Sequence, residues 1–265
     1  MIANDIIKIL EKWVPKKLID SWDNTGFQIG NPDIEVSKIL IALDLDEDVL
    51  NKAIEEKFQM IITHHPIIFK PLKNLTTMDY TGNIISQVIK NDIVVYNAHS
   101  NLDLAEGGVN DKLAEVLGLK DTSPVTIVTK EDFPENKIGY GRVGFVDRIE
   151  LNKYLDIIKA NLDASHLIVY GDKKDDIEKV AVCGGSGSDF IKDAYKQGAD
   201  IYITGDIKYH DAELGYQLGL TIVDAGHFNT EKIILPTIKD YLEKNLNNKI
   251  EIEVLMESSV PQFIY

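Results

Sequence analysis

Short apolar runs alternate with helical patterns twice along this chain of 265 residues, and that order constrains the possible folds more than any other feature. In the first stretch KILIAL (38–43) is followed by DEDVLNKAIEEK, MIIT (60–63), a helical pattern over 80–91 and IVVYNA (93–98). In the second, KVAVC (179–183) is followed by DFIKDAYKQG, DIYIT (200–204), HDAELGYQLG and LTIVDAG (220–226). The order predicts parallel strands joined by crossover helices. Between the two stretches, TIVTKEDFPENKIGYGRVGFV reads as a hairpin-type insertion and LNKYLDIIKANL as a further helix. At the start, Ile6, Ile7, Leu10, Trp13 and Val14 recur at helical spacing, which reads as an amphipathic helix and not as an export signal.

The two stretches also match each other. With a shift of 141, Lys38 to His65 aligns with Lys179 to Asp206 without a gap, placing Asp48 on Asp189 and Thr63 on Thr204. A second block, shifted by 128, places Val95 on Val223, His99 on His227, Asn101 on Asn229 and Asp103 on Glu231. Hydrophobic patterning alone does not generate a shared His-x-Asn-x-acid after equivalent strands, so duplication is the favoured reading. The expectation is an α/β fold of two similar lobes with mainly parallel sheets, residues 1–125 and 126–265, the strand near 249–256 being a candidate to return to the first lobe. Strand ends facing each other across a cleft are where open α/β sheets place ligands.

Composition closes off several classes. The single cysteine, Cys183, builds neither a disulfide framework nor a cysteine zinc site within one chain, which points to a reducing, cytoplasmic setting. Nowhere do about 18 apolar residues run together, so no membrane span is expected. With 28 basic and 43 acidic residues the formal charge is −15, which repels a polyphosphate backbone and argues against nucleic acid as a partner.

The chemistry gathers at strand ends. Thr63-His64-His65-Pro66 follows a strand, and Pro66 bars a helix from continuing there. Neighbouring side chains diverge, so His64 and His65 suit two different ions of a close pair better than one ion; read alone, they also fit two hydrogen-bonded histidines closing a strand. Asp103 and Glu231 offer carboxylates, which can bridge ions, and His227 and Glu231, four apart, share a face if a helix begins near Phe228 or Asn229, with Asn229 or Thr230 as its cap. Imidazole with carboxylate suits two divalent ions of zinc, iron or manganese. The loop Gly184-Gly185-Ser186-Gly187-Ser188 reads as a tight turn in preference to an anion site, since it lacks the P-loop ending. Asp44, Asp46, Glu47 and Asp48 read as capping acids at a helix start.

Four segments in this order, Ser21-Trp22-Asp23-Asn24-Thr25-Gly26-Phe27-Gln28-Ile29-Gly30, Ile62-Thr63-His64-His65-Pro66, His99-Ser100-Asn101-Leu102-Asp103 and Gly226-His227-Phe228-Asn229-Thr230-Glu231, resemble the Nif-three-like family, whose bacterial members carry the label GTP cyclohydrolase 1 type 2 homologue. The resemblance implies a dinuclear centre held by His64, His65, Asp103, His227 and Glu231, two three-layer α/β/α lobes with the metals between them, and a ring-shaped homohexamer. The stretch 125–178 leaves little room for the large domain some members insert there, so the chain resembles the compact form. His99 is not among the family's usual ligands. It is expected beside the metals in a supporting or proton-transfer role, a buried core histidine being the rival reading. His210 is a candidate general acid or base and Lys208 an anion contact; a helix start with solvated polar residues fits them equally.

Two functions from different classes follow. One is a metal-dependent hydrolase acting on a nucleotide or related small molecule; the label suggests guanine-ring opening. The other is a non-catalytic metal-binding or regulatory scaffold built as a ring oligomer.

Overall fold

The computed structural model describes residues 1–130, 133, 138–172, 174–247, 249–257 and 260. The chain divides into two compact units, one of Met1–Leu102 with the segment that resumes at Leu235, the other from Asp103 to Ile234.

The first unit runs α1 (Ala3–Trp13), β1 (Gly26–Ile29), β2 (Lys38–Ala42), α2 (Glu47–Glu55), β3 (Met60–Thr63), α3 (Tyr80–Lys90) and β4 (Val94–Asn97), and the division between units falls within the short helix α4 (Ser100–Leu104). The second holds α5 (Val109–Val116), β5 (Lys120–Ser123), β6 (Thr126–Ile127), β7 (Gly139–Tyr140), β8 (Arg142–Glu150), α6 (Leu151–Asn161), β9 (Ile168–Tyr170), β10 (Asp176–Ser186), α7 (Ile191–Lys196), β11 (Ile201–Gly205), α8 (Tyr209–Leu218), β12 (Thr221–Asp224) and α9 (His227–Glu231). The chain then returns to the first unit with α10 (Leu235–Leu246) and β13 (Glu251–Val254).

The first sheet has the order β1-β4-β3-β2-β13, all parallel except the β1 edge. Alternation along its strands builds two layers of core. Leu40, Ala42, Ile61 and Val95 pack with Val49, Leu50 and Ala53 of α2 and Ile84, Ile85 and Val88 of α3. On the opposite side Tyr96 reaches Glu11 of α1, and Tyr241 of α10 donates to the Ile9 carbonyl at 3.0 Å, so α1 and α10 cover the second face. β13 continues the sheet, with Ile252 beside Ile39 and Val254 beside Ile41.

The second sheet has the order β5-β8-β10-β11-β12-β9. Its heart, β10-β11-β12, is parallel, while β5, β8 and β9 join antiparallel. Val180, Val182, Ile201, Ile203 and Val223 face Leu113 and Leu117 of α5 and Leu151, Tyr154 and Ile158 of α6. Ala181, Tyr202 and Ile222 face Ile191 and Ala194 of α7, with Leu214 and Leu218 of α8 against them. Each unit is therefore a three-layer α/β/α body. The expected insertion is the small hairpin β6-β7, pairing Thr126 with Tyr140; part of its connection lies outside the described residues.

The division falls at Leu102 rather than at 125 for a physical reason. α5 supplies Leu113, Ala114 and Leu117 to the second core, and β5 hydrogen-bonds along β8, so residues 109–123 belong with the second sheet. No helix among the described residues is long and apolar enough to cross a membrane.

Candidate metal centre

In the first unit, β3 ends by delivering His64 and His65. The Ala98 amide donates to the Thr63 carbonyl at 3.0 Å, which continues the β3-β4 ladder and turns the Ala98 carbonyl onto the buried His64, whose Nδ1 lies 2.8 Å away. His65 places Nδ1 2.8 Å from the Asp44 carboxylate, and His99 places Nδ1 2.9 Å from Asp23, whose side chain is fully buried. A carbonyl or carboxylate oxygen only accepts, so Nδ1 carries the proton in all three, and in each neutral ring Nε2 is the lone-pair nitrogen. That is the arrangement metal-ligating histidines use: an oxygen on one nitrogen fixes the ring and its tautomer for the other. His64, His65 and His99 bring ligand nitrogens within 4.8 Å of one another, a group able to hold an ion.

In the second unit, α9 opens at His227 and closes at Glu231. His227 Nδ1 lies 2.7 Å from Asp206, and its Nε2 lies 3.0 Å from Glu231 Oε2 across one helical turn. The helix begins at His227 itself, with Gly226 at its N-cap and no side-chain cap. Asn229 and Thr230 do other work. Asn229 donates to the Ala225 carbonyl at 2.8 Å, and the Thr230 hydroxyl accepts from the Gly185 amide at 2.9 Å. Asp103 is anchored by its backbone: Asn110, almost fully buried, donates to the Asp103 carbonyl at 3.1 Å and accepts from the Gly184 amide at 3.1 Å. Cys183, beside Gly184, is buried. Burial first, then the charges of Asp103 and Glu231, pushes its thiol up to about 12, which disfavours the thiolate.

The glycine loop has a different job from a plain turn. A Cβ built on Gly185 collides with the Glu231 carboxylate and comes within 3.1 Å of His227 Nε2, and its φ of +64° disfavours any other residue. Gly185 keeps open the cradle in which the two candidate ligands meet. The donor types, the ring tautomers and this cradle fit divalent ions with imidazole and carboxylate preferences.

Two acids escaped the sequence reading. Asp46 does cap α2, accepting from the Val49 amide at 2.8 Å, but Asp44 in the same run holds His65 instead. Asp206, at φ +58° just past β11, holds His227. Each acid ends a strand and each histidine follows the next parallel strand, so both pairs stand 21 residues apart, a spacing visible in the sequence. His210 lies apart from this network on α8, its side chain 87% exposed and its Nδ1 3.3 Å from Glu213 on the same helix. Lys208 occupies the N-cap position of that helix, its amide bonded to Asp211 at 3.1 Å.

The profile of the Duf34/NIF3 family (NGG1p interacting factor 3) matches residues 1–261. A relative from Clostridium perfringens named GTP cyclohydrolase 1 type 2 homolog is 38% identical over 272 residues, covering 98% of each chain. One of the same name from Methanocaldococcus jannaschii is 36% identical over 252 residues, covering 94% of this chain and 98% of its own. Among solved structures, a Bacillus cereus protein related to NIF3 superposes with a TM-score of 0.94 at 28% identity, covering 100% of this chain and 99% of that one.

Proposed function

Because the chain belongs to the Duf34/NIF3 family, we propose that it is a dinuclear divalent-metal protein and a metal-dependent hydrolase of a nucleotide or related small molecule. His64, His65, Asp103, His227 and Glu231 are the ligands in this reading, and zinc, iron or manganese the ions. The observation that carries it is the shared state of the candidate histidines. His64, His65 and His227 each commit Nδ1 to an oxygen of their own unit, which fixes each ring, and His227 turns Nε2 onto the Glu231 carboxylate, the next candidate ligand. Bound ions would supply Lewis acidity and bring the pKa of a water toward neutrality.

The chain's own residues supply the proton handling. Asp23 orients His99 through Nδ1, leaving Nε2 to take a proton from a nucleophile and return it to a leaving group. Ser100 donates to Asp23 at 2.6 Å and Thr25 donates to the same oxygen, which keeps the carboxylate ionised for that task. His99 therefore suits proton transfer better than His210, whose side chain is exposed and lies beside Glu213 and Tyr209. The relatives' printed name makes nucleotides the first substrates to try. The parallel sets β2-β3-β4 and β10-β11-β12 support an internal duplication, since Ile39 pairs with Met60 as Val180 pairs with Ile201.

The test is a metal-reconstituted preparation assayed against nucleotides and phosphoesters beside His65→Ala. Turnover that vanishes in the variant supports the hydrolase. Uptake of two ions without turnover of any substrate, in a ring-shaped homohexamer, leaves a metal-holding scaffold.

A further inference from the structure

We propose that Trp22 and Phe69 form the aromatic wall of a subsite for a planar heteroaromatic ring, next to His99. Trp22 is 60% exposed and Phe69 46% exposed. Aromatic surface left in water costs roughly 25 cal/mol per Å², so two large rings held open side by side call for an occupant. Their positions are fixed by a set of polar bonds. Asn24 donates to the Ile68 carbonyl at 2.5 Å, Gln28 donates to the Asn24 carbonyl at 2.7 Å, and the Ile68 amide donates back to Gln28 at 3.3 Å. The loop after His64-His65-Pro66 is thereby tied to the loop that carries Trp22. Asp23, next to Trp22, is anchored on His99 and Ser100.

The rings make a corner. Trp22 and Phe69 stand 6.2 Å apart at 64°, Trp22 meets His99 at 6.1 Å and 86°, and Phe69 meets His99 at 6.2 Å and 84°. All three contacts are edge-on, so the rings do not stack on one another. Base-on-aromatic stacking tolerates any planar ring. A ring on this wall sits beside His99, and His99 in turn contacts His64 at 5.2 Å and His65 at 5.7 Å. The wall thus lies where a substrate's ring would be presented to the proton carrier. This subsite deepens the hydrolase reading and rests on it for the identity of the occupant as substrate.

Zinc-loaded protein titrated with guanosine 5′-monophosphate, uridine 5′-monophosphate and ribose 5-phosphate tests the idea. Trp22 reports by fluorescence, because the other tryptophan, Trp13, is packed on Tyr241 at 4.9 Å and supplies a steady background. A nucleotide should quench saturably while ribose 5-phosphate does not. Trp22→Ala and Phe69→Ala should each weaken nucleotide binding about tenfold or more by calorimetry, and Trp22→Phe should recover most of it. All three variants should keep the wild-type zinc content and sedimentation coefficient. The subsite is overturned if nucleotides bind no tighter than ribose 5-phosphate, or if Trp22→Ala leaves their affinity unchanged. It is equally overturned if Trp22→Ala alters the sedimentation coefficient, for then a second copy of the chain covers the rings. Protein that takes up no zinc yet binds nucleotide through Trp22 sinks the metal reading and supports the subsite; zinc uptake without ring binding does the reverse.

Discussion

Asp206 and Asp44 act on metal affinity through the histidines they hold, and that gives the first prediction. Asp206→Asn keeps a side chain of the same size but removes the charge that favours the Nδ1 proton of His227. Zinc affinity, measured by competition with a chromogenic chelator, should fall about 10- to 100-fold with the circular dichroism spectrum unchanged. Unaltered affinity would show that His227 binds without help from its acid. Asp23 makes a different, pH-linked prediction. Burial raises its pKa, but hydrogen bonds from His99, Ser100 and Thr25 and the charge on His99 outweigh this, so the carboxylate is held below the usual range. With the folded value below the unfolded one of about 3.9, the stabilisation is complete above that pH and drains away as pH falls further. Asp23→Asn should flatten the acid limb of stability against pH in urea unfolding; a limb as steep as wild type would refute it. His99, Asn101 and Asp103 stood out in the sequence because His227, Asn229 and Glu231 repeat their spacing after a strand. The acid that holds His65 did not, because a carboxylate at a helix start has an ordinary capping use, and only the folded sheet shows which acid of Asp44 and Asp46 caps.

At the level of elements that same pair separates cleanly. Asp46→Ala should cost about 1 kcal/mol of folding stability through loss of the α2 cap, without changing zinc affinity. Asp44→Ala should weaken zinc binding and leave the cap intact. Reversal of the two phenotypes in thermal melts and zinc titrations would overturn the assignment. The buried parallel strands were legible in the sequence, β3 to the residue, because continuous apolar runs such as MIIT leave little else to be. The antiparallel flanks were not. β5 is exposed throughout and β9 largely so, and neither carries the apolar period that marks a strand. The alignment of the two halves was also one residue out over its last strand. Register places Asn97 beside Thr63 and Asp224 beside Thr204, a shift of 127, whereas the histidine motifs align at 128. Asp224 to His227 is one residue longer than Asn97 to His99, and the longer segment includes Gly226 at φ +87°.

For the whole molecule, the proposed function requires that the candidate ligands of the two units serve one pair of ions. His64 and His65 belong to the first unit, and Asp103, His227 and Glu231 to the second, so each unit alone offers only part of a ligand set. If the sets close on shared ions, removing a ligand from either side disables the same centre, and effects that act on one unit are not additive. Wild-type protein should then carry two ions per chain by elemental analysis. His65→Ala and His227→Ala should each lower zinc affinity, and the double variant should be hardly worse than the weaker single. Saturating zinc should raise the unfolding midpoint of wild type, by about 2.7 kcal/mol of stability for each ion bound at a hundredfold excess over its Kd, and much less in either variant. Two separate sites predict the opposite: each single variant loses one ion and keeps the other at full affinity, and the losses add in the double. The additive result would leave the His64-His65-His99 group and the His227-Glu231 pair as independent sites, and it would remove the dinuclear centre on which the hydrolase reading stands.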